Sequence, residues 1–254
     1  MAATNQKRRK KRGSGVWARL LTMLAVVAAV VFCIAIFFKV DQFDVTGNER
    51  YSADEIVAAS GLEQGGNLLM FSRSEVAAQI QAKLPYITEV RVHRALPDTV
   101  TIEVVECSPV AVISDAYGAQ WLMSSDGRLL EQAETATAAQ YPQVTGAIAV
   151  EPQAGQSLVT EDSSTTYALC TLLEALDGSS VQDKIVSVDV EKIYALTMMY
   201  GEQYEIDLGG TDDLDYKFAY LEQILEELKK QNPDASGQID LTLETDKVAR
   251  FLQW

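Results

Sequence analysis

The chain has a single histidine and three cysteines among its 254 residues, and no acidic side chain before Asp41. Each scarcity removes a class of chemistry. One histidine, His93, excludes a two-histidine zinc site, and no Cys, His and Asp set has metal-ligand spacing. A Ser-His-Asp triad would have to use His93, which sits in an alternating stretch between Arg91 and Arg94 and reads as a solvent-facing strand residue. No G-x-S-x-G, H-E-x-x-H, penicillin-type S-x-x-K or phosphate-binding loop occurs. The carboxylate pairs Asp212-Asp213 and Glu226-Glu227 read as solvated helix positions. The residues therefore describe a protein that is not an enzyme and needs no cofactor, metal or small-molecule substrate. Cys33 lies in an apolar run, and Cys107 and Cys170 are as compatible with two free thiols as with a disulfide.

Charge is divided as sharply as chemistry. Residues 1–40 carry eight basic residues (Lys7, Arg8, Arg9, Lys10, Lys11, Arg12, Arg19, Lys39) and no acid. The other 214 residues hold 21 − 8 = 13 basic and all 36 acidic residues, a net of −23. That acidic part repels nucleic acid. Leu20 to Phe38 is a run of 19 uncharged residues, polar only at Thr22. At 1.5 Å per residue it reaches roughly 28 Å, about the hydrocarbon thickness of a bilayer. A cleaved signal sequence competes with this reading. The run exceeds the ~7–15 residues of an ordinary signal core, however, and no small-x-small site follows it. The expected organisation is a basic cytoplasmic tail (1–19), a transmembrane helix (20–38) and an extracytoplasmic remainder, oriented by the positive-inside rule.

The remainder reads as two α+β units. In the first, 40–107, Phe43 to Thr46 alternates and Gly47-Asn48 turns. Ser52 with Glu55 forms a capping box for one helix. Ser74 is the expected cap of a second, whose Val76, Ile80 and Leu84 share a face before Pro85 stops it. Val90 and Val92, then Val100, Ile102 and Val104, alternate around the turn Pro97-Asp98 as a hairpin. In the second unit, 108–254, a mainly antiparallel β domain with two flanking helices is expected. Its strands fall at 119–123, 128–130, 185–190, 193–199, 203–208, 239–243 and 247–254. Its helices fall at 163–176 and from Asp212-Asp213 to Lys230. Residues 132–140, rich in Ala, Thr and Gln, read as an exposed excursion.

Several of these segments together resemble one family. Phe43-Asp44-Val45-Thr46-Gly47-Asn48 directly after an apolar span looks like the opening strand of a POTRA domain of the FtsQ/DivIB type. The likeness continues through Tyr51 to Ile56, Gly61-Leu62, Leu84-Pro85-Tyr86-Ile87, Val90-Arg91-Val92 and Arg94 to Val100. It extends to Ile102 to Glu106, Ser108 to Ala111, Ser125-Asp126-Gly127-Arg128-Leu129, Tyr141-Pro142 with Gly146, and Ile239-Asp240-Leu241. The resemblance implies a bitopic division protein at the septum. Its implied role is to bind FtsB (DivIC in many Gram-positive bacteria) and FtsL, and to scaffold and regulate septal wall synthesis without catalysis.

It also implies that the terminal strand receives FtsB or DivIC. Carried over from the Ile-Asp-Leu landmark, the contacts fall on Leu243, Thr245 and Phe251. Leu243 stands where the family has an aromatic residue. Trp254 joins them as an aromatic of the kind enriched at interfaces. The competing readings are a POTRA-bearing polypeptide-transport or chaperone component and a tethered wall hydrolase. A transport component would share only residues 40–106 and would continue into alternating barrel strands, which the chain lacks.

Overall fold

A computed structural model of the chain describes residues 14–232, 235–242 and 250–253. The first element, α1 (Ser14–Phe37), covers almost all of the apolar run. Its described large apolar side chains, Leu21, Leu24 and Phe32 among them, are exposed rather than packed against the rest of the chain. Among the described residues, no helix is long and apolar enough to cross a membrane.

The first α+β unit follows the expected order. It comprises β1 (Gln42–Thr46), α2 (Ala53–Ser60), α3 (Arg73–Lys83), β2 (Ile87–Ala95) and β3 (Thr99–Glu106). The Ser52–Glu55 capping box forms, and Gly61 closes α2 at φ 70°. The cap of α3 is Ser72, whose hydroxyl accepts from the Glu75 amide, and not Ser74. Ser74 lies within the first turn instead, its hydroxyl 3.0 Å from that of Ser72. In the sheet, β3 is central, with β1 parallel to it and β2 antiparallel. Ile56, Val76 and Ile80 from the helices pack on Val92, Val100, Ile102 and Val104 from the sheet. Gly47 has φ +83°, and a Cβ there would meet the Val104 carbonyl oxygen at 2.1 Å.

The second unit is one nine-stranded sheet in the order β12-β11-β10-β9-β8-β7-β4-β5-β6. Its first members are β4 (Ala111–Ser114), β5 (Gln120–Met123), β6 (Leu129–Ala133) and β7 (Gln143–Thr145). Its later ones are β8 (Ile185–Asp189), β9 (Leu196–Tyr200), β10 (Tyr204–Gly209), β11 (Gly237–Asp240) and β12 (Arg250–Gln253). The sheet is mainly antiparallel, as expected, with five antiparallel pairings (β4/β5, β5/β6, β8/β9, β9/β10 and β11/β12), but β4/β7, β7/β8 and β10/β11 run parallel. Parallel neighbours need a crossover. Here α5 (Ser163–Leu176) links β7 to β8, and α6 (Leu214–Gln231) links β10 to β11. Strands β7, β8 and β10 point the same way, and both crossovers step toward β12. Right-handed crossovers then place both helices on the same face. There Leu169, Leu172, Phe218, Leu221 and Leu225 pack on Val188, Met198, Ile206 and Ile239 in a single core.

Strand β9 starts three residues later than expected, because 191–195 forms a turn closed by the Ala195 amide on the Lys192 carbonyl. The stretch 132–140 is mostly exposed, as expected, but it is not irregular. It finishes β6, forms one helical turn, α4 (Thr135–Ala138), and buries Ala138. Ala138 packs in a third cluster with Val112, Leu122, Leu130 and Tyr86. This cluster joins the two units. The Tyr86 hydroxyl donates to Glu131 Oε1 at 2.7 Å, and the Arg50 guanidinium lies 3.7 Å from the Tyr86 ring centroid. Glu106 accepts the backbone amides of Glu49, Arg50 and Tyr51, which holds Arg50 in place.

Two predictions follow from this packing. Gly47→Ala combines a left-handed backbone with a clash against backbone, and should cost about 1–3 kcal/mol in denaturant unfolding. The second concerns alkaline pH. Burial, and next the Glu131 hydrogen bond, push the Tyr86 hydroxyl well above its ordinary value of 10.0. The folded state therefore holds this proton where the unfolded chain releases it. The stability linked to Tyr86 is full below pH 10 and falls as pH rises beyond it. Tyr86→Phe should flatten that alkaline decline. An unchanged slope in unfolding measured at several pH values would refute the assignment.

Candidate partner-docking edge

A nine-stranded open sheet has two edges, and they differ. At β6, the Leu129 amide donates to the Gln156 carbonyl and the Gly155 amide donates to the Leu129 carbonyl, so the chain at 155–158 covers the start of that edge. At the other end, β12 pairs antiparallel with β11 through Gly237↔Gln253 to Asp240↔Arg250. Among the described residues, no strand pairs with the outer side of β12. An edge strand without a neighbour presents amides and carbonyls that can accept a strand from another chain.

The register decides which side chains such a strand would meet. Phe251 lies opposite Ile239, which lies opposite Ile206, then Met198, then Val188. That row is the helix-covered side of the sheet. Phe251 accordingly packs on the core, its ring 6.3 Å from that of Tyr204 in an edge-on arrangement. Leu252 lies opposite Gln238 on the uncovered face, in a row with Glu205 and Met199, and is 58% exposed. Arg250 is opposite Asp240, in a row with Asp207 and Thr197. Gly237 permits the close approach of β12, since a Cβ there would meet the Leu252 carbonyl oxygen at 2.3 Å.

Of the four residues expected at the docking surface, Leu243, Thr245 and Trp254 lie outside the described residues. Phe251 is on β12, but half-buried and turned toward the core. Arg250 and Leu252 were not among the expected contacts. The adjacent apolar pair Phe251-Leu252 carried a signal for them, because neighbouring residues in a strand face opposite ways. Only the pairing with β11 says which one faces out.

The supports of the edge are built from β10 and α6. Lys217 is buried, with Nζ donating to the Leu208 carbonyl at 2.7 Å and the Gly210 carbonyl at 3.2 Å. Burial lowers its pKa, opposed by the carboxylates of Asp212, Asp213 and Asp207. The Tyr204 hydroxyl is buried without a hydrogen-bond partner among the described residues, and burial raises its pKa. Cys107 and Cys170 are both free thiols, raised mainly by burial. His93 lies exposed on β2 opposite Thr101. Among the described residues, no three His, Cys, Asp or Glu side chains converge to hold a metal ion.

The architecture is α+β, a small three-stranded unit joined to a nine-stranded mixed sheet whose β12 edge has no neighbour among the described residues. Residues 38–106 match the POTRA domain of FtsQ type, and residues 111–242 match the C-terminal region of the cell division protein FtsQ/DivIB. The chain belongs to the FtsQ/DivIB family of cell-division proteins. Cell division protein FtsQ of Syntrophotalea carbinolica is 26% identical over 242 residues, covering 92% of this chain and 79% of its own length. Cell division protein DivIB of Clostridium acetobutylicum is 22% identical over 228 residues, 88% of each chain. Cell division protein FtsQ of Geobacter sp. is 28% identical over 217 residues, covering 83% of this chain and 74% of its own length.

The register makes a prediction that separates the two apolar residues of β12. Phe251→Ala should lower stability by about 1–3 kcal/mol, less than a fully buried Phe because the ring is half-covered. Leu252→Asp should stay within about 0.5 kcal/mol of the parent, as surface changes do. Thermal or urea unfolding of both variants checks this, and the reverse order would mean that β12 pairs one residue out of register.

Proposed function

We propose that the protein is a non-enzymatic, single-pass scaffold of the division machinery, working at the septum. In this reading α1 spans the membrane, the basic tail lies in the cytoplasm and the two α+β units lie outside. The uncharged run and the outward-facing side chains of α1 support the span. The C-terminal edge receives FtsB or DivIC, with FtsL as a further partner, and septal wall synthesis is regulated through that assembly. The observation that carries the docking step is β12, a strand with no neighbour on its outer side among the described residues. The family assignment supports the identity of the partners. The contact set joins Leu252 and Arg250 to Leu243, Thr245 and Trp254, while Phe251 acts chiefly by holding β12 to the sheet. No observation favours the transport or hydrolase readings.

Capture of an FtsB or DivIC segment by the purified chain tests the docking step. Leu252→Asp should weaken capture by about 1–2 kcal/mol, roughly tenfold, with the unfolding midpoint unchanged. Phe251→Lys should weaken both capture and stability. Unchanged capture by Leu252→Asp would remove β12 from the interface. Orientation has its own test. Protease added to intact spheroplasts should digest the acidic 214 residues and spare the tail. Protection of the whole chain would reverse the topology.

A further inference from the structure

Three exposed apolar side chains gather where α1 ends. The chain leaving α1 pairs at once with the loop after α2. The Leu68 amide donates to the Phe38 carbonyl at 2.9 Å, Lys39 bridges Asn67, and Val40 and Gly66 share a 2.8 Å backbone bond. A turn closed by the Met70 amide on the Asn67 carbonyl then presents Leu69 and Met70, 44% and 83% exposed. The tip of the β2–β3 hairpin arrives at the same place, because the Asp41 amide donates to the Asp98 carbonyl at 2.8 Å. Leu96, in that tip, is 64% exposed. Arg94 ties the two segments together, donating to the Phe71 carbonyl with its guanidinium 4.6 Å from the Phe71 ring centroid.

Single exposed apolar residues are ordinary. Three on two separate segments, both hydrogen-bonded to the few residues after one apolar helix, form a surface. No flexible linker separates them from α1, so whatever surrounds the end of α1 also surrounds them. We propose that Leu69, Met70 and Leu96 rest in the lipid interface around the exit of α1, so that the first α+β unit docks on the outer leaflet instead of swinging on a tether. The proposal rests on α1 being the membrane span. Residues at this level sit about 5–10 Å into the boundary between head groups and chains. The charges fit. The loop from Asn67 to Arg73 contains no acid, and the exposed basic residues Lys39 and Arg73 adjoin it in the chain or across the Lys39–Asn67 bridge. Asp41 and Asp98 also flank it, their carboxylates accepting from the Gln64 amide group and the Thr99 hydroxyl. Although the outer part is acidic overall, charges beyond about 8 Å of the leaflet are largely screened at physiological salt.

The test places an environment-sensitive dye at single cysteines of the full chain, after Cys33→Ser, Cys107→Ser and Cys170→Ser. The protein is reconstituted in vesicles of phosphatidylcholine and phosphatidylglycerol carrying nitroxide lipids, labelled either near the head group or near the chain end. Met70→Cys is the probe. Tyr117→Cys, at a site 97% exposed, is the solvent reference, and Ala28→Cys marks the middle of α1. The dye at 70 should emit to the blue of the dye at 117 and be quenched severalfold more by the shallow nitroxide than by the deep one. The dye at 28 should show the opposite preference. A dye at 70 as wet and unquenched as that at 117, with 28 quenched deeply, overturns the docking and leaves the span standing. A dye at 28 that the deep nitroxide does not reach overturns the span, and the docking with it.

Discussion

The second unit depends on the handedness of two crossovers. Because β7-α5-β8 and β10-α6-β11 step the same way along strands of the same direction, right-handedness places both helices over one face. One side of β8 to β12 is then committed to core, and the other is left uncovered. Alternation carries that decision out to the last strand, where it turns Phe251 in and Leu252 out. The pairing at the edge is thus set by helices that cover other strands. A single-residue slip of β12 against β11 would exchange the two side chains.

The same logic separates what could be read from the sequence from what could not. Elements defined by local chemistry were legible. The Ser52–Glu55 box starts α2, and the leucine spacing of 163–176 gives α5 to the residue. The 4-3-4-3 pattern after Asp212-Asp213 gives α6 within two residues of its start. Properties set by distant partners were not. Three parallel pairings make the sheet mixed, and no pattern inside a short strand states its neighbour's direction. Ser72 and Ser74 are equally good caps by type, and the turn geometry chooses the first. The stretch 132–140 looks solvated by composition, yet Ala138 is buried in a cluster that includes Tyr86, a residue from outside its own unit. At the edge, an apolar pair announced that one residue faces out, and only the β11 register names it.

The junction at Tyr86 gives the architecture its reach. Tyr86 comes from the first unit, while Glu131 belongs to β6, the far edge of the large sheet. The edge at β12, without an outer neighbour among the described residues, lies eight strand spacings away, about 38 Å at ~4.8 Å per spacing. Between them runs a sheet packed continuously on one face, with low compressibility. The first unit and a strand added at β12 would therefore be held at opposite ends of one stiff plate. Binding at the edge needs no rearrangement of the core, because an added strand uses only amides and carbonyls left over by β12. The cost of association then includes the ordering of the incoming segment but no refolding of the sheet. A partner that is unstructured before it binds suits that edge. The plate fixes where an added segment would lie relative to the junction, so geometry alone is enough to set the spacing between the first unit and whatever pairs with β12.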